Sequence, residues 1–207
     1  MENKIKDLFG RFSRKYNKHM VGTNHVNVQQ KILTNFLPYI HGKVLDIATG
    51  TGFVAKYIKQ KTESDVYGID FCPDMIMMAQ KNPQDVNFII GDVHELPFEK
   101  HALDVIICSY GFYWFEDSNK VIYEINNALK PNGIFIVMEE EPKYSRILMP
   151  AFSRRGGYLK ELAELENYVG IEALKRKIQN KGFKLIKELK LPIDRVHYTV
   201  GMVYQKS

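Results

Sequence analysis

At 207 residues, 45% of them hydrophobic and 26% charged, the chain has enough apolar material for one domain with a sizeable core. Two cysteines, Cys72 and Cys108, exclude a disulfide framework and a cysteine-rich metal site. The formal charge of +5 favours anionic partners only weakly, and no apolar run reaches the ~20 residues of a bilayer span.

The opening MENKIKDLFG is charged and lacks an apolar signal segment, so a cytoplasmic location is the default expectation. Residues 1–20 place Ile5, Leu8, Phe9, Phe12 and Tyr16 three or four apart, which predicts an amphipathic helix packed over the domain. A second helix is expected from about Val26 to Leu37, where Pro38 ends it. The chain then alternates. Short β-rich runs fall at 43–48 (KVLDIA), 65–70 (DVYGID), 86–91 (VNFIIG), 103–109 (LDVIICS) and 134–140 (IFIVMEE). Helical stretches separate them at 52–60, 73–81 and 117–129, the last closed by KPNG. Near-continuous apolar strands spaced by helices predict a parallel α/β sheet covered on both faces.

Beyond it, 158–166 and 170–180 read as helices. FKLIKELKLPI and HYTVGMVYQK leave no room for a helix between them. They read as two strands joined by a turn, at least one antiparallel to the main sheet. The expected unit is one domain, 1–207. It comprises a helical segment 1–37 covering the site, a core 43–140, a short helical region 143–181 and a hairpin 183–204.

VLDIATGTGFVAKYI, at 44–58, is the stretch that points to a ligand. A phosphate-cradling P-loop needs a lysine and a hydroxyl residue after its last glycine, but Phe53 and Val54 follow Gly52. Gly50, Gly52 and Ala55 match the dinucleotide pattern G-x-G-x-x-A, and Asp70 stands near its ribose-binding offset. DIAT intervenes between strand and glycine, however, and a carboxylate there suits an ammonium group better than a pyrophosphate.

A ligand with an adenosine, no phosphates and a zwitterionic tail on a sulfonium fits the acids better. Asp46 can serve the tail's amino group, directly or through water. Gly50 and Gly52 clear side chains from the approach. Asp70 can hold both ribose hydroxyls. Asp92 can accept from the adenine amino group, with Phe71 and Val93 on the ring faces. Each acid ends or follows a successive strand, so all converge on the carboxyl edge of the sheet.

VLDIATGTG, YGIDFCPDMIMMA, FIIGDVHELPF, LDVIICSYGFYWFED and LKPNGIFIV together resemble class I S-adenosylmethionine-dependent methyltransferases, in the subgroup similar to the ubiquinone, menaquinone and biotin-pathway enzymes. The resemblance is strong over about 36–140. It implies a Rossmann-like sandwich: a mostly parallel seven-stranded sheet with an antiparallel C-terminal strand. It also implies S-adenosylmethionine as donor and S-adenosylhomocysteine as product. The cofactor set carried over is Asp46, Ala48, Thr49, Gly50 and Gly52 in the first loop, with Asp70, Phe71 and Met75 after the second strand. Asp92 and Val93 follow the third strand, and Ser109 and Tyr110 the fourth. Ala48 stands where the family motif has its first glycine, and an ordinary backbone angle is expected to accept it.

The methyl should be transferred near 108–117. Tyr113, Trp114 and Phe115 cannot all face one core there, so Tyr113 and Trp114 are candidates for the substrate side. Tyr16 and His19 in the N-terminal segment are the other candidate catalytic residues. His94 lies near the cofactor edge but reads as solvent-facing. No Asp/Asn-Pro-Pro-aromatic run and no Pro-Cys nucleophile are present, so nucleic-acid acceptors are disfavoured and a small molecule is expected. Alternatives are RNA or protein methylation, a catalytically silent cofactor-binding protein and, more distantly, an NAD-dependent oxidoreductase. No metal is implied, and a monomer or homodimer is expected.

Overall fold

The computed structural model describes residues 7, 9–11, 13, 24–142, 170–195 and 197–207. Residues 7, 9–11 and 13 are helical. Helix α1 (His25–Phe36) buries Val28, Ile32, Leu33 and Phe36 at helical spacing, and a 3-10 turn at Leu37–Tyr39 carries Pro38. The core follows as β1 (Lys43–Ile47), α2 (Phe53–Lys61), β2 (Asp65–Asp70), α3 (Pro73–Gln80), β3 (Asn87–Ile90) and β4 (Leu103–Ser109). A second 3-10 turn spans Phe112–Trp114, and then come α4 (Ser118–Ala128), β5 (Leu129–Pro142), α5 (Ile171–Gln179), β6 (Phe183–Pro192) and β7 (His197–Lys206).

The seven strands form one sheet in the order β3-β2-β1-β4-β5-β7-β6. Strands β1 to β5 are parallel, and β7 runs antiparallel to both β5 and β6. The α/β reading and the antiparallel end therefore hold. One boundary differs. KPNG does not simply close α4, because β5 already pairs at Leu129 with Leu103. Its register then shifts before Ile134 meets Val105. Asn132 takes a left-handed φ of 62° inside that irregularity, so the turn chemistry is spent on a bulge in the strand. The helix expected at 158–166 lies outside the described residues.

Two apolar layers cover the sheet. One contains Leu45, Ile69, Ile106, Phe135 and Tyr204 with α4 and α5. The other contains Val44, Val66, Ile107 and Ile136 with α1 and α2. Helix α1 sits so close to β7 that a Cβ on Gly201 would come within 2.5 Å of Ile32. Among the described residues no helix is long and apolar enough to cross a membrane.

Candidate active site

Strand order reverses between β1 and β4, which places their loops apart and opens a crevice at the carboxyl edge. A cleft of about 300 Å³ lies there, bordered by the loops after β1, β2, β3 and β4 and by Phe9 of the N-terminal segment.

Ala48 and Gly50 of the first loop line the cleft. Gly50 has a φ of 55°, and a Cβ there would meet nothing within 4 Å, so bare backbone borders open space. Its N–H donates to Asp70 Oδ2 at 2.8 Å, and the Cys72 N–H donates to Asp70 Oδ1 at 2.9 Å. Asp70 thus ties the first loop to the second. Burial pushes its carboxyl up to about 6, although the Cys72 and Gly50 N–H groups pull it down.

Asp46 near the end of β1, and Thr49 and Gly52 of the loop after it, do not border the cleft. Asp46 is 1% exposed. It lies beneath the loop and accepts from Thr49 Oγ1 at 2.5 Å. Burial raises it to about 7, opposed by Thr49 and the Ala55 N–H and helped by repulsion from Asp70. Thr49 is turned inward as that donor. Gly52 is packed closely: a Cβ there would meet Phe88 at 2.5 Å and Ala79 at 3.2 Å, across the helix–sheet interface. The ordinary backbone angle expected at Ala48 is also corrected. Its φ is +52°, in the left-handed region that costs a residue with a Cβ about 1–2 kcal/mol.

Phe71 and Met75 line the cleft from the second loop and the first turn of α3. Asp92 and Val93 line it after β3, together with His94. The solvent-facing reading of His94 is corrected: its side chain is 20% exposed and bonded at both nitrogens, to Asp92 Oδ1 at 2.7 Å and the Asp117 N–H at 3.3 Å. Burial would raise Asp92, but the His94 N–H, its ring and the Lys120 charge together hold it below the usual carboxylate range.

After β4, Ser109 and Tyr110 border the cleft, and both are held from behind. Gln29 of α1 donates to Ser109 Oγ at 2.6 Å. The Tyr110 hydroxyl meets Thr199 Oγ1 at 2.6 Å, and its ring lies 5.4 Å from that of His25. Tyr110 has a φ of 56°, a strained position for a bulky residue. Trp114 lines the cleft with its ring edge-on to Phe9 at 5.3 Å, and Phe115 lines it beside Trp114. Tyr113 turns the other way. It is 2% exposed in the core and does not border the cleft, because the short 3-10 turn sends successive side chains to different sides. Tyr16 and His19 lie outside the described residues.

The chain matches the methyltransferase-domain family over residues 45–137. The demethylmenaquinone methyltransferase of Thermus thermophilus is 30% identical over 168 residues, covering 71% of this chain and 76% of that protein. The chain belongs to the class I S-adenosylmethionine-dependent methyltransferases. The Thermotoga maritima demethylmenaquinone methyltransferase is 34% identical over 139 residues, which cover 65% of this chain and 61% of that protein. Among solved structures, an S-adenosylmethionine-dependent methyltransferase from Aquifex aeolicus superposes with a TM-score of 0.68 at 16% identity, covering 92% of this chain and 97% of that one. Haemonchus contortus phosphoethanolamine N-methyltransferase 2, solved with S-adenosylmethionine, gives 0.68 at 17%, covering 86% and 52%.

Several cleft residues of this methyltransferase were not picked out as site residues by motif reading: Phe9, His94, Gly111, Phe115, Glu116, Asp117 and Lys120. Asp117 carried a signal. It caps α4 by accepting from the N–H groups of Asn119 and Lys120, and Asp-Ser-Asn before an apolar-periodic run is a helix start. The proximity of that start to Asp92 is tertiary, and spacing does not encode it.

Proposed function

We propose that the protein transfers a methyl group from S-adenosylmethionine to a small-molecule acceptor held beside Ser109, Tyr110 and Trp114. The carrying observation is that one cleft joins the two carboxylates Asp70 and Asp92 to an aromatic wall of Trp114, Phe115 and Phe9. The residues fit the cofactor. Each Asp70 oxygen accepts one backbone N–H and retains a lone pair for a ribose hydroxyl. Gly50 leaves its backbone open to the cleft. Carboxylates around the site complement a sulfonium cation.

In this reading Asp70 holds the ribose, Asp92 the adenine amino group, and Phe71 and Val93 the ring faces. The first loop, with Asp46 beneath it, meets the amino-acid tail. When bound, the cofactor supplies an electrophilic methyl on a positively charged sulfur. The chain contributes orientation and exclusion of water: Trp114 and Phe9 shield the transfer region, and Ser109 and Tyr110 are fixed against it by Gln29 and Thr199. A cytoplasmic location belongs to the same reading.

Because relatives at 30–34% identity are demethylmenaquinone methyltransferases, a short-chain reduced demethylmenaquinone is the first acceptor to test. Purified protein would be incubated with methyl-labelled S-adenosylmethionine and that quinol, and label followed into the organic extract. Transfer above a protein-free blank is expected. Calorimetry showing no binding of either S-adenosylmethionine or S-adenosylhomocysteine would overturn the proposal.

A further inference from the structure

Asp92 and the start of α4 are joined through one side chain. The Asp117 N–H, which can only donate, approaches His94 Nε2 at 3.3 Å. Nε2 must therefore present its lone pair, and in the neutral ring the proton resides on Nδ1. Nδ1 lies 2.7 Å from Asp92 Oδ1 and donates to it. The His94 backbone N–H donates to the same oxygen at 2.9 Å. Oδ1 is thus held twice, from two directions, which fixes the plane of the carboxylate. No bond to Oδ2 is made among the described residues, and Asp92 borders the cleft. The Phe115 ring, 6.2 Å from that of His94 and near-perpendicular to it, closes the imidazole's surroundings.

We propose that His94 is a positioning residue that sets selectivity for adenine, by holding Asp92 so that Oδ2 alone is offered to the purine's exocyclic group. The inference rests on the reading that Asp92 meets the adenine. A fixed, anionic acceptor favours an amino group, which donates. It rejects a 6-oxo group, which can only accept. A carboxylate free to rotate toward solvent would discriminate less. The same imidazole links the purine end of the cleft to the segment Trp114–Asp117, so purine recognition and the aromatic wall share one support.

The test is calorimetric titration with S-adenosylhomocysteine and its hypoxanthine analogue, S-inosylhomocysteine, on the wild type and three variants. In His94→Ala the preference for adenine should shrink by about tenfold, the effect of losing one charge-assisted hydrogen bond. In His94→Asn the amide nitrogen stands near the place of Nδ1 and can still donate to Asp92, so the preference should stay within about threefold of wild type. In His94→Gln the amide reaches the place of Nε2 instead, and the preference should fall as in alanine. Circular dichroism melts check the fold of each variant, and the Asn/Gln comparison stands even if alanine unfolds. An unchanged adenine preference in His94→Ala overturns the inference, as does retention by Gln with loss by Asn. Wild-type protein that binds neither ligand would remove the cofactor reading and this inference together. Tight wild-type binding with unaltered selectivity in the variants removes the inference alone.

Discussion

The departure at Ala48 can be interrogated through its neighbour. A Cβ built on Gly111 would stand 2.7 Å from the Ala48 Cβ and 3.2 Å from Cys108 Sγ. Carbon atoms prefer about 3.5–4.0 Å, so Gly111→Ala overpacks the loop junction and should cost about 1–3 kcal/mol. Gly111 has an unstrained φ of −114°, so the penalty is steric and not conformational. Ala48→Gly has two opposed consequences. It relieves a left-handed alanine, about 1–2 kcal/mol, and it loosens the unfolded chain, about 0.5–1 kcal/mol, so alone it should be neutral or stabilise by up to about 1.5 kcal/mol. The double variant removes the 2.7 Å contact and keeps only the tight approach to sulfur. It should recover at least about 1 kcal/mol of the Gly111→Ala loss. Urea denaturation of the four proteins, followed by circular dichroism, measures the cycle. Additive effects, with no recovery beyond that of Ala48→Gly alone, would refute the apposition of the two loops, and a clear loss of stability in Ala48→Gly alone would refute the strain assigned to Ala48.

Asp70→Asn should separate stability from binding. Raising a carboxyl from 3.8 to about 6 costs the ionised form about 3 kcal/mol, which the amide relieves near pH 8. The amide's NH₂ leaves one backbone N–H without an acceptor, about 1–3 kcal/mol, so the melting temperature should move little while S-adenosylhomocysteine affinity falls about 100-fold. Unchanged affinity in calorimetry would remove Asp70 from the ribose. For pH, Asp46 and Asp70 both have folded-state values above their ordinary 3.8, at about 7 and about 6. The stability they contribute is fully present below about pH 3.8 and lost as pH rises through 6 and 7. Relative to an Asp46→Asn, Asp70→Asn variant, the ligand-free wild type should lose melting temperature across that window, and less so with saturating S-adenosylmethionine, whose cation favours the ionised forms. Parallel pH profiles for the two proteins would contradict this. Trp114 is the only tryptophan in the chain and lines the cleft, so titration with S-adenosylhomocysteine should alter its fluorescence. Calorimetric binding with a silent tryptophan would place it away from the bound ligand.

Strands β1, β2 and β4 were legible because each is a short apolar run, and β1, β2, β4, β6 and β7 begin where the runs read from the sequence begin. The carboxyl-edge convergence of Asp70 and Asp92 followed from the strand ends alone. Loop geometry did not follow. Nothing in DIATGTG distinguishes a glycine that borders the open cleft, Gly50, from one that admits Phe88, Gly52, because the difference is set by a side chain from β3. Nor does apolar patterning encode the sign of φ at Ala48, or that Asp46 lies under its loop while Asp70 edges it. Tyr113 and Trp114 differ by one position on a 3-10 turn, and the buried Glu139 carboxylate, a distant residue in sequence, helps pin that turn by accepting the Phe112 N–H at 2.6 Å. His94 was underestimated because its value comes from two partners, one of them a backbone group more than twenty residues on.

The position of β7 has a consequence for how the sheet is assembled. It lies between two strands that both precede it in the chain, so the sheet closes by insertion and not by growth at an edge. Pairing with β6 is local, across the short turn after Pro192, whereas pairing with β5 brings Ile134 to Gln205. Loop-closure entropy therefore favours a β6–β7 hairpin first and its docking on β5 late. Until that docking the row Ile134–Met138 is an open, apolar β edge, the kind that captures other chains. Weakening the hairpin should then appear first as aggregation during refolding, before any loss of activity in molecules already folded.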